Sequence, residues 1–78
     1  MNRHPTLAER WALVAEHCRL EVQRRGDERR ALHSMRSRLM AYTRGMPNGR
    51  HLREKFSHVD SVAEVEDIAS AHLAEEVA

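Results

Sequence analysis

The sequence predicts an all-α fold, a small four-helix bundle whose first two helices form an antiparallel hairpin. Three observations support this prediction. Apolar residues recur at steps of three and four along four segments of the chain, helix-start and helix-stop residues separate those segments, and no segment has the alternating pattern of a strand. At 78 residues the chain is long enough for one small domain. We expect that domain to span residues 5–75, with flexible ends at residues 1–4 and 76–78.

The first predicted helix covers residues 7–25. Thr6 and Glu9 have the spacing of a capping box at its start, and Gly26 is a typical residue for its end. Its apolar face consists of Leu7, Trp11, Val14, Cys18 and Val22. We interpret Trp11 as a packing anchor and Cys18 as a small buried hydrophobic residue.

The second predicted helix covers residues 28–44. Asp27 is its expected N-cap, and Gly45 its expected end. The apolar positions of this helix have heptad-like spacing, which favours antiparallel packing against the first helix. These positions are Leu32, Met35, Leu39 and Tyr42.

Two shorter helices are predicted after a turn around Pro47. The third helix covers residues 49–57, and the fourth covers residues 62–75 after a second capping box. The capping residues are Ser61 and Glu64. The apolar positions are Leu52, Phe56 and Val59 for the third helix, and Val62, Val65, Ile68, Ala69 and Leu73 for the fourth.

Charge is distributed unevenly along the chain, although the formal net charge is only +1. Residues 19–55 hold eleven of the thirteen Lys and Arg residues, whereas residues 56–78 hold six acidic residues and no Lys or Arg. A basic segment of this kind suits an anionic partner. Twelve of the thirteen basic residues are arginine, whose planar guanidinium suits bidentate contact with phosphate.

The candidate site is the arginine-rich polar surface of the second helix and of the start of the third. At 100° per residue, Arg29 and Arg36 lie on one flank of the apolar seam and Arg38 lies on the other. One interpretation is a solvated face with ion pairs, and the other is a surface that contacts the phosphates of a nucleic acid. The candidate RNA-binding residues are Arg29, Arg30, Arg36, Arg38, Tyr42, Arg44, Arg50, Arg53 and Lys55.

Patterns typical of catalysis or metal binding are absent from the sequence. The single cysteine cannot form an intramolecular disulfide, the six histidines lack ligand spacing, and no Gly-rich phosphate loop is present. We therefore expect no catalytic residue, cofactor or metal in this chain. No apolar run approaches the roughly 20 residues that cross a bilayer. We expect a cytoplasmic monomer with no membrane partner.

Two stretches, MRSRLMAYTRGMP and the following LREKFSHVDSVAEVEDI, resemble the C-terminal helical domain of bacterial tRNA-dihydrouridine synthases, in particular their B-type branch. PTLAERWALVAEHCRL and RRGDERRAL resemble the first helix of that domain and its connection to the second, so the resemblance covers about residues 5–74. The matching positions are Met35, Arg36, Leu39, Tyr42, Gly45, Pro47, Leu52, Arg53, Ser61 and Glu64. Departures from the family pattern are Arg38 in place of His, Ser37 and Arg44 in place of Lys, and Ala41 in place of Trp.

The resemblance implies a tRNA-binding domain that does no chemistry itself. In that family an FMN-binding (β/α)₈ barrel reduces a uridine of tRNA to dihydrouridine with electrons from NADPH, and the helical domain helps to hold the tRNA. A barrel of that class needs about 250 residues, so FMN and NADPH are expected in a separate catalytic domain. The chain is then either an isolated C-terminal domain or a free-standing descendant, and its expected partners are tRNA and the barrel.

Two alternatives to RNA binding remain open. In the first alternative, the chain is a protein-interaction module that docks on the barrel or another partner through exposed Met40 and Met46. The second is a helix-turn-helix DNA binder. The short third helix counts against the second alternative, because it offers no clear set of base-reading residues.

Overall fold

The computed structural model describes residues 5–77, and within that range it contains four helices and no strand. The predicted all-α fold is therefore confirmed. The predicted flexible segment 1–4 and Ala78 lie outside the described residues. The helices are α1 (Leu7–Arg25), α2 (Glu28–Tyr42), α3 (Gly49–Phe56) and α4 (Val62–Val77).

Side-chain caps confirm the predicted starts of α1 and α2. The Thr6 hydroxyl accepts from the backbone N–H of Glu9 at 3.1 Å, while the Glu9 carboxylate accepts from the backbone N–H of Thr6 at 3.2 Å. Asp27 accepts from the backbone N–H of Arg30 at 3.1 Å. Each cap satisfies a donor that the first turn of a helix leaves without an intrahelical partner.

The cap of α4 differs in one detail from the predicted box. The Ser61 hydroxyl accepts from the backbone N–H of Glu64 at 3.2 Å, as expected. The Glu64 carboxylate, however, accepts from the backbone N–H of Asp60 at 2.9 Å, one residue before the cap. This contact fixes the residue that leads into α4.

The helix ends depart from the prediction by one or two residues. α2 ends at Tyr42 instead of residue 44, because the Thr43 hydroxyl donates to the Met40 carbonyl at 2.7 Å and the chain then enters a turn. Gly45 lies inside that turn in the left-handed region, with φ of 79°. α3 ends one residue earlier than predicted, and α4 continues two residues further, into the segment expected to be flexible.

α1 and α2 run antiparallel, as predicted. Near their connection the Ser34 hydroxyl donates to the Glu21 carboxylate at 2.9 Å. Farther from the connection, His17 Nδ1 lies 2.6 Å from the Tyr42 hydroxyl. Because contacts move backward along α1 as they move forward along α2, the two helices form a hairpin.

All four helices contribute to one hydrophobic core. The indole of Trp11 is 4% exposed and packs against Phe56, with ring centroids 5.8 Å apart, so its predicted role as an anchor is confirmed. Cys18 is fully buried, also as predicted. The buried core consists of Trp11, Val14, Cys18, Ala31, Leu32, Met35, Leu39, Met46, Leu52, Phe56, Val59, Val65 and Ala69.

The predicted exposure of Met46 is wrong. Its side chain is only 6% exposed, because the tight turn in which its N–H bonds the Thr43 carbonyl brings it into the core. Met40 is half-buried and packs against the same core. Among the side chains that the structure describes, the exposed large apolar ones are Leu13 and Leu20, both on α1.

A buried chain of hydrogen bonds joins α1, α4 and the α2–α3 turn. The Trp11 indole N–H donates to His72 Nδ1 at 3.2 Å, and His72 Nε2 lies 2.7 Å from the Pro47 carbonyl. Because an indole only donates, Nδ1 must accept, and Nε2 carries the proton that is donated to Pro47. His72 is 3% exposed, and the sequence analysis did not anticipate its role.

The described helices include none that is both long enough and apolar enough to cross a membrane.

Candidate nucleic-acid interface

Ion pairs with acidic side chains engage many of the arginines in the described range. On α1, Arg24 and Arg25 lie 2.8 and 2.9 Å from the Glu21 carboxylate. Hydrogen bonds from Arg24, Arg25 and Ser34 hold the pKa of Glu21 far below its usual range. The arginines with acidic partners are Arg19, Arg24, Arg25, Arg29, Arg30 and Arg36.

Three side chains on one flank of α2 converge on Asp60, in the connection between α3 and α4. His33 Nε2 lies 2.6 Å from Asp60 Oδ1, Arg36 Nη2 lies 3.1 Å from it, and Arg29 Nε lies 4.0 Å from it. The hydrogen bond from His33, together with the charges of Arg29 and Arg36, lowers the pKa of Asp60. We call Arg29, His33 and Arg36 the Asp60 cluster.

Arg36 also holds the fold together. Its Nε and Nη2 donate to the Val59 carbonyl at 3.2 and 3.0 Å. The side chain therefore ties α2 to the α3–α4 connection, a structural role in addition to the phosphate contact that the sequence predicts for Arg36. Arg30 is another candidate RNA-binding residue in the first half of α2. Its Nε lies 4.0 Å from the carboxylate of Asp27, the N-cap of that helix.

The remaining cations of the predicted site have no acidic partner among residues 5–77. They belong to the C-terminal half of α2, the following turn and α3, and all except Arg53 are exposed. The sequence explains the difference, because no Asp or Glu occurs between Glu28 and Glu54. We call this set the unpaired cations: Arg38, Arg44, Arg50, Arg53 and Lys55.

The α2–α3 turn reverses the chain between the unpaired cation of α2 and those of α3. Gly45 and Asn48 have positive φ, 79° and 57°, and reverse the chain. A Cβ on Gly49 would lie 2.9 Å from the Thr43 carbonyl oxygen and 3.1 Å from Arg53 Nη1, so the guanidinium of Arg53 lies against the start of α3. Asn48 provides no side-chain cap there. Uncapped N–H groups and a nearby guanidinium favour an anion at this end of α3.

Tyr42 lies between the core and a surface groove. Its ring is half-buried against the core, so the packing role that the seam predicted is confirmed, while its hydroxyl contacts His17. The groove has a volume of about 280 Å³ and lies between α1 and α2. Its lining residues are His17, Leu20, Glu21, Arg24, Arg38 and Tyr42.

Several groups of this region were not predicted from the sequence. His33 had a readable signal, because residues 29, 33 and 36 have the spacing of one helix face. No sequence signal indicates that Asp60 belongs to this region, because its proximity to α2 depends on how the α3–α4 connection folds back. His17 carried only a weak signal, as one of six dispersed histidines.

The described residues contain no group of three or more His, Cys, Asp or Glu side chains that could hold a metal ion. Burial raises the pKa of the Cys18 thiol to about 11. The thiol is therefore protonated near neutral pH and is a poor nucleophile.

Comparison with known proteins gave no match to a family model, to a curated protein or to a solved structure.

Proposed function

We propose that this chain binds folded RNA, with tRNA as its target, through the unpaired cations. The observation that carries this proposal is the division of the basic residues into two groups. Six arginines in the described range are paired with acids, whereas the five cations of residues 38–55 are not. Arg10, the other arginine of the described range, donates to the Tyr42 carbonyl. A surface that serves only solubility usually intersperses both signs of charge.

The proposed mechanism is electrostatic and depends on the shape of the RNA backbone. An unpaired cation binds a phosphate without first breaking an ion pair inside the protein. Contacts of this kind position the RNA more than they read its sequence. The acids of α4 would be repelled by phosphates, so we expect α4 to face away from the RNA.

The resemblance to the helical domain of tRNA-dihydrouridine synthases supports tRNA as the RNA. In that context the chain is the non-catalytic, cytoplasmic part of a flavin-dependent enzyme that reduces uridine to dihydrouridine. FMN and NADPH would bind in the separate barrel. Arg44, Tyr42 and Arg53 are among the positions at which the resemblance and the surface coincide, although Arg44 replaces the Lys of the family.

Electrophoretic mobility shifts with folded tRNA test this proposal. The triple variant Arg44→Ala/Arg50→Ala/Lys55→Ala removes three exposed cations that have no acidic partner among residues 5–77. The matched control loses the same net charge. It is Arg19→Ala/Arg24→Ala/Arg25→Ala, which removes three paired arginines that are not among the candidate RNA-binding residues.

We expect the first triple variant to lose most of its affinity for tRNA and the control to retain most of it. Equal losses in the two variants would refute a role for the unpaired cations. Competition with duplex DNA at matched salt tests the DNA-binding alternative, because stronger binding to DNA would overturn the assignment to tRNA.

Protein docking is a second candidate function, and the exposure of two leucines favours it. Leu13 and Leu20 are 54% and 50% exposed and lie seven residues apart on α1, so they share a face. These two leucines, and not the buried Met46, are exposed apolar side chains that could contact a protein partner. Co-elution of the chain with the isolated barrel tests docking, and Leu13→Ser/Leu20→Ser should abolish co-elution without changing tRNA binding. Co-elution that survives this change would exclude the leucines as the contact.

A further inference from the structure

The Asp60 cluster already binds an anion, the carboxylate of the chain itself. Its members lie at positions i, i+4 and i+7 of α2, which places them on one face of the helix. All three are directed at a single atom, Asp60 Oδ1, at distances of 2.6, 3.1 and 4.0 Å. Two guanidinium groups and one imidazole thus offer N–H donors around a single oxygen position.

Arg36 has an anchor that does not depend on the Asp60 side chain. Arg36 is anchored by two hydrogen bonds to the Val59 carbonyl, and these do not involve the Asp60 side chain. The Arg36 guanidinium would therefore remain in position if the carboxylate moved away. A preorganised guanidinium loses little conformational freedom when it binds an anion.

The carboxylate leaves part of the cluster unused. Arg29 Nε, at 4.0 Å from Asp60 Oδ1, lies beyond hydrogen-bond distance. The side chains of Arg29, His33 and Asp60 are 76%, 41% and 46% exposed, so an outside ligand can reach them. A phosphate has more acceptor oxygens than the single carboxylate oxygen used here, and it can accept from all three members.

We propose that Arg29, His33 and Arg36 form a phosphate-binding site that Asp60 occupies in the free chain, and that an RNA phosphate displaces the Asp60 carboxylate. This inference rests on the proposed RNA-binding function and adds a second contact point on α2. Arg36 lies six residues before the end of α2, about 9 Å along the helix axis. All the unpaired cations except Arg38 follow that end, so RNA that they hold has this site close by on the preceding helix. Asp60 then lowers the affinity for RNA by competing from within the chain.

Asp60→Asn is the direct test, with Asp67→Asn as the matched control. Both variants raise the net charge by one, but Asp67 is an exposed residue of α4 outside the cluster. We expect Asp60→Asn to bind tRNA about tenfold more tightly than wild type, since a charge-assisted contact becomes available to the RNA. Asp67→Asn should change the affinity by no more than about twofold, because salt screens a distant surface charge.

A second variant tests whether any gain in affinity comes from freeing the Asp60 cluster for phosphate or from a change in folding. Adding Arg29→Ala to Asp60→Asn should cancel most of the gain, because Arg29 is largely exposed and serves the phosphate in this scheme. Equal affinities of Asp60→Asn and Asp67→Asn would overturn the inference and leave the proposed function intact. If wild type does not bind tRNA at all, the proposed function fails.

Titration of Asp60→Asn with inorganic phosphate then provides an RNA-independent test of the site. A saturable shift of the Arg36 Nε–H resonance, weaker in wild type, supports the phosphate site, and no shift refutes it.

Discussion

Trp11→Phe isolates the buried hydrogen bond that links α1 to α4. The substitution keeps an aromatic ring in the core but removes the indole N–H that donates to His72 Nδ1 at 3.2 Å. Both side chains are almost fully buried, at 4% and 3% exposure. No water can therefore replace the missing donor without opening the core, and the imidazole is left with an unsatisfied nitrogen.

The expected loss of unfolding free energy has two parts. An orphaned buried acceptor costs about 1–3 kcal/mol. The smaller ring adds a cavity term of about 24 cal/mol per Å³ of space that the neighbours do not fill. His72→Phe should cost more than the loss of one acceptor, because it leaves both the Trp11 indole and the Pro47 carbonyl without their partner.

Urea denaturation followed by circular dichroism measures these losses. Leu13→Ala is the control, since its side chain is 54% exposed and surface substitutions usually change stability by no more than about 0.5 kcal/mol. We expect the order of stability to be Leu13→Ala, then Trp11→Phe, then His72→Phe. A Trp11→Phe variant as stable as the control would refute a stabilising role for the bond.

Three other predictions follow from single groups. The native Cys18 thiol should resist alkylation at pH 8 and react only on unfolding, because burial raises its pKa to about 11. Rapid alkylation of folded protein would contradict this. Burial of the protonated thiol also stabilises the fold up to about pH 9, and this stabilisation is lost as the pH rises toward 11. The lowered pKa of Asp60 means that its carboxylate stabilises the fold above about pH 3.8, and this stabilisation is lost as the pH falls further. When unfolding is followed as a function of acid pH, Asp60→Asn should therefore lose less stability than wild type. Gly49→Ala should cost about 1–3 kcal/mol through the clash of its Cβ with the Thr43 carbonyl, measured by urea denaturation, whereas an unchanged midpoint would show that the turn adapts.

Local sequence signals predicted the helices well because those signals act over short distances. Thr6, Asp27 and Ser61 each cap a residue three positions away, and the observed bonds match that spacing. The end of α2 was harder to predict, because Gly45 is a strong stop signal but Thr43 ends the helix first. The burial of Met46 depends on how the turn packs, and the local sequence does not encode that.

The candidate site was predictable in composition but not in pairing. The excess of arginine in residues 19–55 is visible in the sequence, and so is the absence of acids between Glu28 and Glu54. The pairing of Arg29 and Arg36 depends on Asp60, which is separated from Arg36 by 24 positions. Likewise, the contact between Trp11 and His72 spans 61 positions. Helix periodicity carries no information about such distant contacts.

The salt dependence of tRNA binding tests the central claim most directly. A plot of log affinity against log salt concentration should have a slope near −4 if about five cations contact phosphates, at roughly 0.7–0.9 per contact. The variant Arg44→Ala/Arg50→Ala/Lys55→Ala should reduce the magnitude of that slope by about 2–3 on the same basis. The control variant Arg19→Ala/Arg24→Ala/Arg25→Ala should leave the slope nearly unchanged. Binding that is absent, or a slope that is the same in both variants, would contradict RNA recognition by the unpaired cations.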